Sequence, residues 1–165
     1  MNRHITHTKR LHETSQALSD FFEMCEVLGH KLGPVLVGLS SSFKKDIDRL
    51  DEFISLLPDL RFAFEFRHDS WFSDDVFDRF RDQSNLSLVV LGAQFFNNFD
   101  CLKDFTYIRW HARGGTPDVY SPEELDFWAH RIREISNEAD VFGYWNHDAY
   151  GPKNCLDLAS RLEVR

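Results

Sequence analysis

Three stretches of this chain hold side chains able to do chemistry. Residues 62–71 read F-A-F-E-F-R-H-D-S-W and place Glu65, Arg67 and His68 at the end of an apolar row. Residues 105–111 set Tyr107, Arg109 and His111 at alternate positions, and residues 141–148 end in Tyr144, Asn146, His147 and Asp148. Glu65 is the candidate general base, or a metal ligand. Burial would raise its pKa, and the guanidinium charges of Arg67 and Arg109 would lower it. The plainer alternative is a buried ion pair with one of those arginines, which perturbs a carboxylate without any catalysis. Arg67 and Arg109 suit a two-pronged grip on phosphate or carboxylate. His68, His111 and His147 could serve as acid, base or ligand, although each alone reads first as a hydrogen-bonded structural histidine. No H-E-x-x-H or related spacing occurs, so no metal site is assigned. The one basic cluster, Arg3, His7, Lys9 and Arg10, offers a second anion contact; its alternative is a solvated loop.

These residues need strands to position them. In residues 62–67, Phe62, Phe64 and Phe66 point one way and Ala63, Glu65 and Arg67 the other, because strand side chains alternate. Bulky residues packing outward on helices, with polar groups emerging at the carboxyl end, describe a strand of a parallel barrel. An antiparallel edge strand with a surface ion pair is the competing reading. The remaining periodicities predict a helix over 15–31, a strand over 35–39, a helix carrying Ile47, Leu50, Phe53, Ile54 and Leu57, and a helix opening at Ser73-Asp74-Asp75. A strand over 86–91, a short helix or packed loop over 93–103 and a strand over 105–110 follow. Ser121-Pro122-Glu123-Glu124 is a strong helix start, with a cap, an early proline and a glutamate three residues on. A strand over 141–146, with Tyr144 and Asn146 at its end, precedes a last helix from Gly151-Pro152 that turns Cys155, Leu156, Ala159 and Leu162 inward. Residues 1–13 read as a loop.

Strands alternating with helices imply an α/β fold with a parallel sheet and right-handed crossovers. Its 165 residues make a single domain the default expectation. They hold about five strand–helix units where a full (β/α) barrel uses about 250 residues for eight. The expected fold is therefore a partial TIM-type barrel, with three units preceding Met1. Aromatic residues make up 15% of the chain, which argues against disorder. A net charge of -8 argues against general attraction to nucleic acid or an anionic membrane, while leaving room for one basic pocket. No apolar run reaches the ~18 residues of a spanning helix, and no signal peptide opens the chain, so a cytoplasmic protein with no membrane partner is expected. Cys25, Cys101 and Cys155 show neither metal nor disulfide spacing and read as reduced, buried thiols.

Several motifs occur in a telling order: I-T-H-T-K-R-L (residues 5–11), K-L-G-P-V-L-V-G-L-S-S-S-F-K-K-D (31–46), F-E-F-R-H-D-S-W (64–71), Y-I-R-W-H (107–111) and Y-W-N-H-D-A-Y-G-P-K-N-C (144–155). Together they resemble the YecE-like family, domain of unknown function seventy-two, over nearly the whole chain. The resemblance implies a TIM-type barrel of which this chain is the C-terminal two-thirds. It also puts Arg3, His7 and Arg10 in the loop above the barrel's third strand, at the mouth. Glu65, Arg67, His68, Trp71, Tyr107, Arg109, His111, Asn146, Gly151 and Asn154 fall on motif positions. Two departures stand out. Gly38-Leu39-Ser40-Ser41 replaces the usual Gln-Leu-Pro-Pro, and His147 replaces a second asparagine. The family implies no reaction and no cofactor.

Three function classes follow. The first is an enzyme acting on a phosphorylated or other anionic substrate at the C-terminal ends of the strands. Glu65, His111 and His68 would be its catalytic groups, and Arg67, Arg109, Tyr107, Asn146, Arg3, His7 and Arg10 its ligand contacts. The second is a non-catalytic module for an anionic small molecule or nucleic acid. The third is a truncated, inactive remnant, whose open sheet edges could pair into a homodimer.

Overall fold

The computed structural model describes residues 1–81, 83–92, 104–111, 119–146 and 149–163. The expectations for 93–103, His147 and Asp148 lie outside them, as does Cys101. Among the described residues, five strands pair in the order β1-β2-β3-β4-β5, every neighbour parallel. They are β1 (Val35–Gly38), β2 (Phe62–Glu65), β3 (Leu86–Leu91), β4 (Phe105–His111) and β5 (Asp140–Asn146). A doubly wound sheet reverses its strand order at a switch point. An order that runs with the sequence is the progression of a (β/α) barrel, and the α/β partial-barrel expectation holds. Among the described residues no helix is long and apolar enough to cross a membrane.

The chain divides into two compact units, Met1–Leu88 and Val89–Arg165. In the first, β2 runs parallel between β1 and β3, so the antiparallel edge reading is excluded. The phenylalanine row faces helices, as the alternation requires. Phe22 of α1 (Ser15–Glu26) meets Phe62 edge-on at 5.9 Å, Phe53 of α2 (Ile47–Ser55) meets Phe64 at 6.2 Å, and Phe80 of α3 (Asp74–Arg81) meets Phe64 at 5.2 Å. Such edge-on pairs add to the area they bury. Burying the aromatic row on the helices forces Ala63 and Glu65 to the opposite face. Asp46 starts α2 by accepting from the Arg49 amide, and α2 is tied to α3 by a forked Arg79–Asp51 pair.

Two local expectations change here. Helix α1 ends at Glu26 rather than near residue 31, and a 3-10 turn at Gly29–Lys31 replaces its last turn. Val27 and Leu28 are exposed, so no core rewards a further turn, and Gly29 has a positive φ that breaks it. The N-terminal residues contain a π-helical turn, His4–Thr8, instead of plain loop. Ile5 and Leu11 anchor that segment in the core, and Leu11 keeps its place at a φ of 65°. The Met1 amine donates to the Leu36 carbonyl at 2.8 Å, which lays the segment against β1.

In the second unit, β4 and β5 pair along seven residues, from Phe105↔Asp140 to His111↔Asn146. Helix α4 (Pro122–Ser136) opens with the expected capping box: Ser121 accepts from the Glu124 amide, and the Glu124 carboxylate accepts from the Ser121 amide. Leu125, Trp128, Ala129 and Ile132 form its buried stripe. Trp110 stacks on Trp145 at 4.5 Å and meets Trp128 edge-on at 5.2 Å. Glycines flank it: a Cβ on Gly92 would overlap the ring, and one on Gly143 would stand 2.8 Å from Cζ3. Helix α5 (Gly151–Leu162) turns Asn154 and Leu158 inward, not Cys155 and Leu156, which are exposed. Asn154 earns its burial by accepting from the Tyr120 amide at 3.2 Å, which rotates the apolar stripe by one residue. With Cys25 half-buried, neither described cysteine is the buried thiol expected.

Candidate functional site

The face of the first unit that turns away from its helices carries the polar groups. Register places Gly38 beside Glu65 at the carboxyl end of β1 and β2. Glu65 is 2% exposed. Arg67, just past the strand, donates from Nε to Oε1 at 3.0 Å, and its Nη2 lies 2.9 Å from the same oxygen as an ion pair. Both contacts use one edge of the guanidinium. Its other edge, which carries Nη1, belongs to a side chain that is 44% exposed. The ion-pair reading of Glu65 is therefore realised with Arg67.

The π-helical turn brings His7 to the same neighbourhood. Its Nδ1 lies 2.9 Å from the Thr6 hydroxyl. Burial, then the charges of Arg3 and Arg67, hold the His7 imidazole below its ordinary value. Arg3 and Arg67 thus set two positive charges near His7, and Arg67 also pairs with the buried Glu65 carboxylate. Arg10 goes to a neighbouring place: its Nη2 donates to Ser42 Oγ at 3.4 Å, and Ser42 Oγ is 2.8 Å from Ser40 Oγ.

His68 is drawn into a different task. Its Nδ1 accepts from the Ser70 amide at 3.1 Å and lies 2.9 Å from the Ser70 hydroxyl, capping the 3-10 turn Asp69–Trp71. An accepting Nδ1 puts the neutral ring's proton on Nε2. The same turn is locked to the loop after β1. Ser70 Oγ accepts from the Lys45 amide at 2.8 Å, and Trp71 Nε1 donates to the Phe43 carbonyl at 2.7 Å. The Lys45 ammonium bonds Ser73 and both oxygens of Asp75. Hydrogen bonds from Ser73 and Lys45 hold the Asp75 carboxyl down to about 2. Two loops at the carboxyl ends of adjacent strands thereby make one framed rim.

In the second unit, Tyr107, Arg109 and His111 share one face of β4, as their alternation predicts, and register adds Tyr144 and Asn146 of β5 to that face. Tyr107 and Tyr144 stack at 4.7 Å. Asn146 Nδ2 donates to His111 Nδ1 at 3.2 Å, which again assigns the neutral ring's proton to Nε2. Among the described residues no three His, Cys, Asp or Glu side chains gather to hold a metal ion.

Sequence reasoning passed over three participants. Ser70 and Lys45 form the rim, and the H-x-S spacing of His68 and Ser70 was the visible signal. Gly38 was noted only as a departure from a motif. Counting the alternation of β1 against β2 would have placed it beside Glu65.

No curated protein matches the chain. Its fold is that of two solved proteins. A DUF72 family protein from Thermotoga maritima MSB8 is 22% identical, with a TM-score of 0.82 over 98% of this chain and 71% of that one. A DUF72 family protein from Enterococcus faecalis V583 is 19% identical, with a TM-score of 0.76 over 93% and 68%. The motif resemblance agrees with a family model, described as protein of unknown function DUF72, that matches residues 1–165, and the chain belongs to that family.

Proposed function

We propose that this chain binds a phosphate-bearing small molecule at the strand ends of its first unit, with Arg67, Arg3 and His7 as the anion contacts. The carrying observation is the Glu65–Arg67 pair: a buried carboxylate takes one edge of the guanidinium and so aims the other edge, on a side chain 44% exposed. A preset guanidinium loses little freedom on gripping a tetrahedral anion. A net charge of -8 repels anions from the molecule at large, so attraction has to come from a local cluster. Glu65 is a positioning residue in this reading. His68, committed as a cap, stays outside the anion contacts.

Calorimetric titration with inorganic phosphate tests the proposal. Charge-assisted hydrogen bonds are each worth about 1.5–3 kcal/mol, so Arg67→Lys, which keeps the charge but loses the fork, should weaken binding about tenfold or more. Arg3→Ala should cost a few-fold, because an exposed charge is screened, and raising the salt should weaken the wild type. Phosphate binding that Arg67→Lys leaves intact would rule the reading out.

A further inference from the structure

We infer that the molecule held at this site carries two directly linked phosphates, the second of them gripped by Arg10 with the hydroxyls of Ser40 and Ser42. This rests on the phosphate reading above and adds the chemistry of the rest of the ligand.

In the first unit Arg49 pairs with Asp46, Arg67 with Glu65, Arg79 with Asp51 and Arg81 with Asp78. The chain has 27 acidic residues against 19 Lys and Arg, so carboxylates are not scarce. Arg10 is exposed, and among the described residues it has no carboxylate partner. Its Nη2 donates instead to the Ser42 hydroxyl at 3.4 Å, a long bond to a neutral oxygen. An anion would give that guanidinium a shorter, charge-assisted bond. The backbone sets the arginine in this place. Arg10 and Leu11 both take left-handed φ values, 48° and 65°, a conformation costly for residues with a side chain. Leu11 is buried and its amide donates to the Ile5 carbonyl at 3.1 Å, so the turn sends Leu11 to the core and Arg10 out to the loop after β1.

The two serines add donors. Ser40 Oγ accepts from the Ser42 amide at 3.1 Å and lies 2.8 Å from Ser42 Oγ. The bond between the hydroxyls uses one of their two protons, which leaves the other to donate outward. Register puts this group next to Arg67. Gly38 pairs with Glu65, and the Leu39 amide donates to the Glu65 carbonyl at 3.0 Å, so the pairing runs past the end of β1. Ser40 stands two residues beyond Gly38, as Arg67 stands two beyond Glu65. Neighbouring strands lie about 4.8 Å apart. Two phosphates joined by one bridging oxygen span such a gap, whereas phosphates at opposite ends of a sugar overreach it. Arg10 and Arg67 are both exposed, so neither contact needs an enclosed cavity.

The test is calorimetry on the full chain, at fixed ionic strength, with inorganic phosphate, diphosphate and fructose 1,6-bisphosphate. The wild type should bind diphosphate about tenfold tighter than phosphate, and tighter than fructose 1,6-bisphosphate. Arg10→Ala should lower the diphosphate-to-phosphate ratio about tenfold, and Ser42→Ala a few-fold. Arg10→Gly, which suits the left-handed backbone, should lower the ratio as much and guards against a folding defect. Lys31→Ala removes an exposed charge on the turn before β1 and should leave the ratio as it is. ADP bound like diphosphate would put the group in a nucleotide, and ADP bound more weakly would make it free diphosphate; either result keeps the inference. A ratio that survives Arg10→Ala, or that Lys31→Ala lowers equally, would overturn this inference alone. So would fructose 1,6-bisphosphate binding tighter than diphosphate. Absence of inorganic phosphate binding in the wild type would overturn the underlying reading and this inference with it.

Discussion

Replacing Arg67 by methionine should destabilise the protein by about 3 kcal/mol, the low end for breaking a buried ion pair. Arg67 gives Glu65 a hydrogen bond and a close ion-pair contact, and Glu65 is buried while Arg67 is half in water. Removing the arginine takes a donor and a countercharge from a carboxylate that is 2% exposed. Removing the carboxylate merely releases an arginine that solvent reaches. Adding Glu65→Gln to the variant should recover most of the loss. Urea melts measure it; a loss that the added Glu65→Gln leaves unchanged would mean that Glu65 is not the group Arg67 supports.

Trp71→Ala should cost about 4 kcal/mol, within the range for emptying a large aromatic from a core. Trp71 is fully buried, stacks on Phe66 at 4.6 Å and meets Phe43 edge-on at 5.4 Å. Its Nε1 also supplies the Phe43 carbonyl, so Trp71→Phe should keep the stack and still cost about 1–2 kcal/mol for a carbonyl left wanting. Trp71 lies in the turn that His68 caps and is bonded to the loop that leads into α2. Both variants should therefore weaken phosphate binding as well as stability. A Trp71→Ala protein that melts within about 1 kcal/mol of the wild type would show that the rim is held by other contacts.

The strands were legible because their signal is local. Leu86–Leu91 is bounded by polar residues on one side and a glycine on the other, and the Phe62 row alternates without a break. The Ser121 cap was legible because its four residues carry all of its hydrogen bonds. Local signals stop short where the deciding partner is distant in sequence. The face of α5 depends on Tyr120, thirty-four residues from Asn154, and hydrophobic periodicity cannot anticipate a buried asparagine. The candidate site divides the same way. Glu65 and Arg67 could be placed from alternation, and their pairing was one of two stated outcomes. The approach of His7 to Arg67 needs the N-terminal segment to be laid against β1, through Met1 and the buried Ile5 and Leu11. His68 reads in sequence as a proton carrier, but the turn after β2 points its Nδ1 at a backbone amide two residues on.

The most direct measurement is an NMR titration of the His7 ring with and without saturating sulfate, a tetrahedral anion whose own charge is constant over the range used. In the free protein, burial and the Arg3 and Arg67 charges should set the midpoint below the ordinary 6.5. The stability tied to His7 is then full above 6.5 and is lost as pH falls through the lowered value, because the unfolded chain binds the proton more readily there. An anion seated between His7, Arg3 and Arg67 cancels the two cationic charges, so the midpoint should rise when sulfate binds. A bound anion that leaves the His7 midpoint where it was would place the anion elsewhere and contradict the site described here.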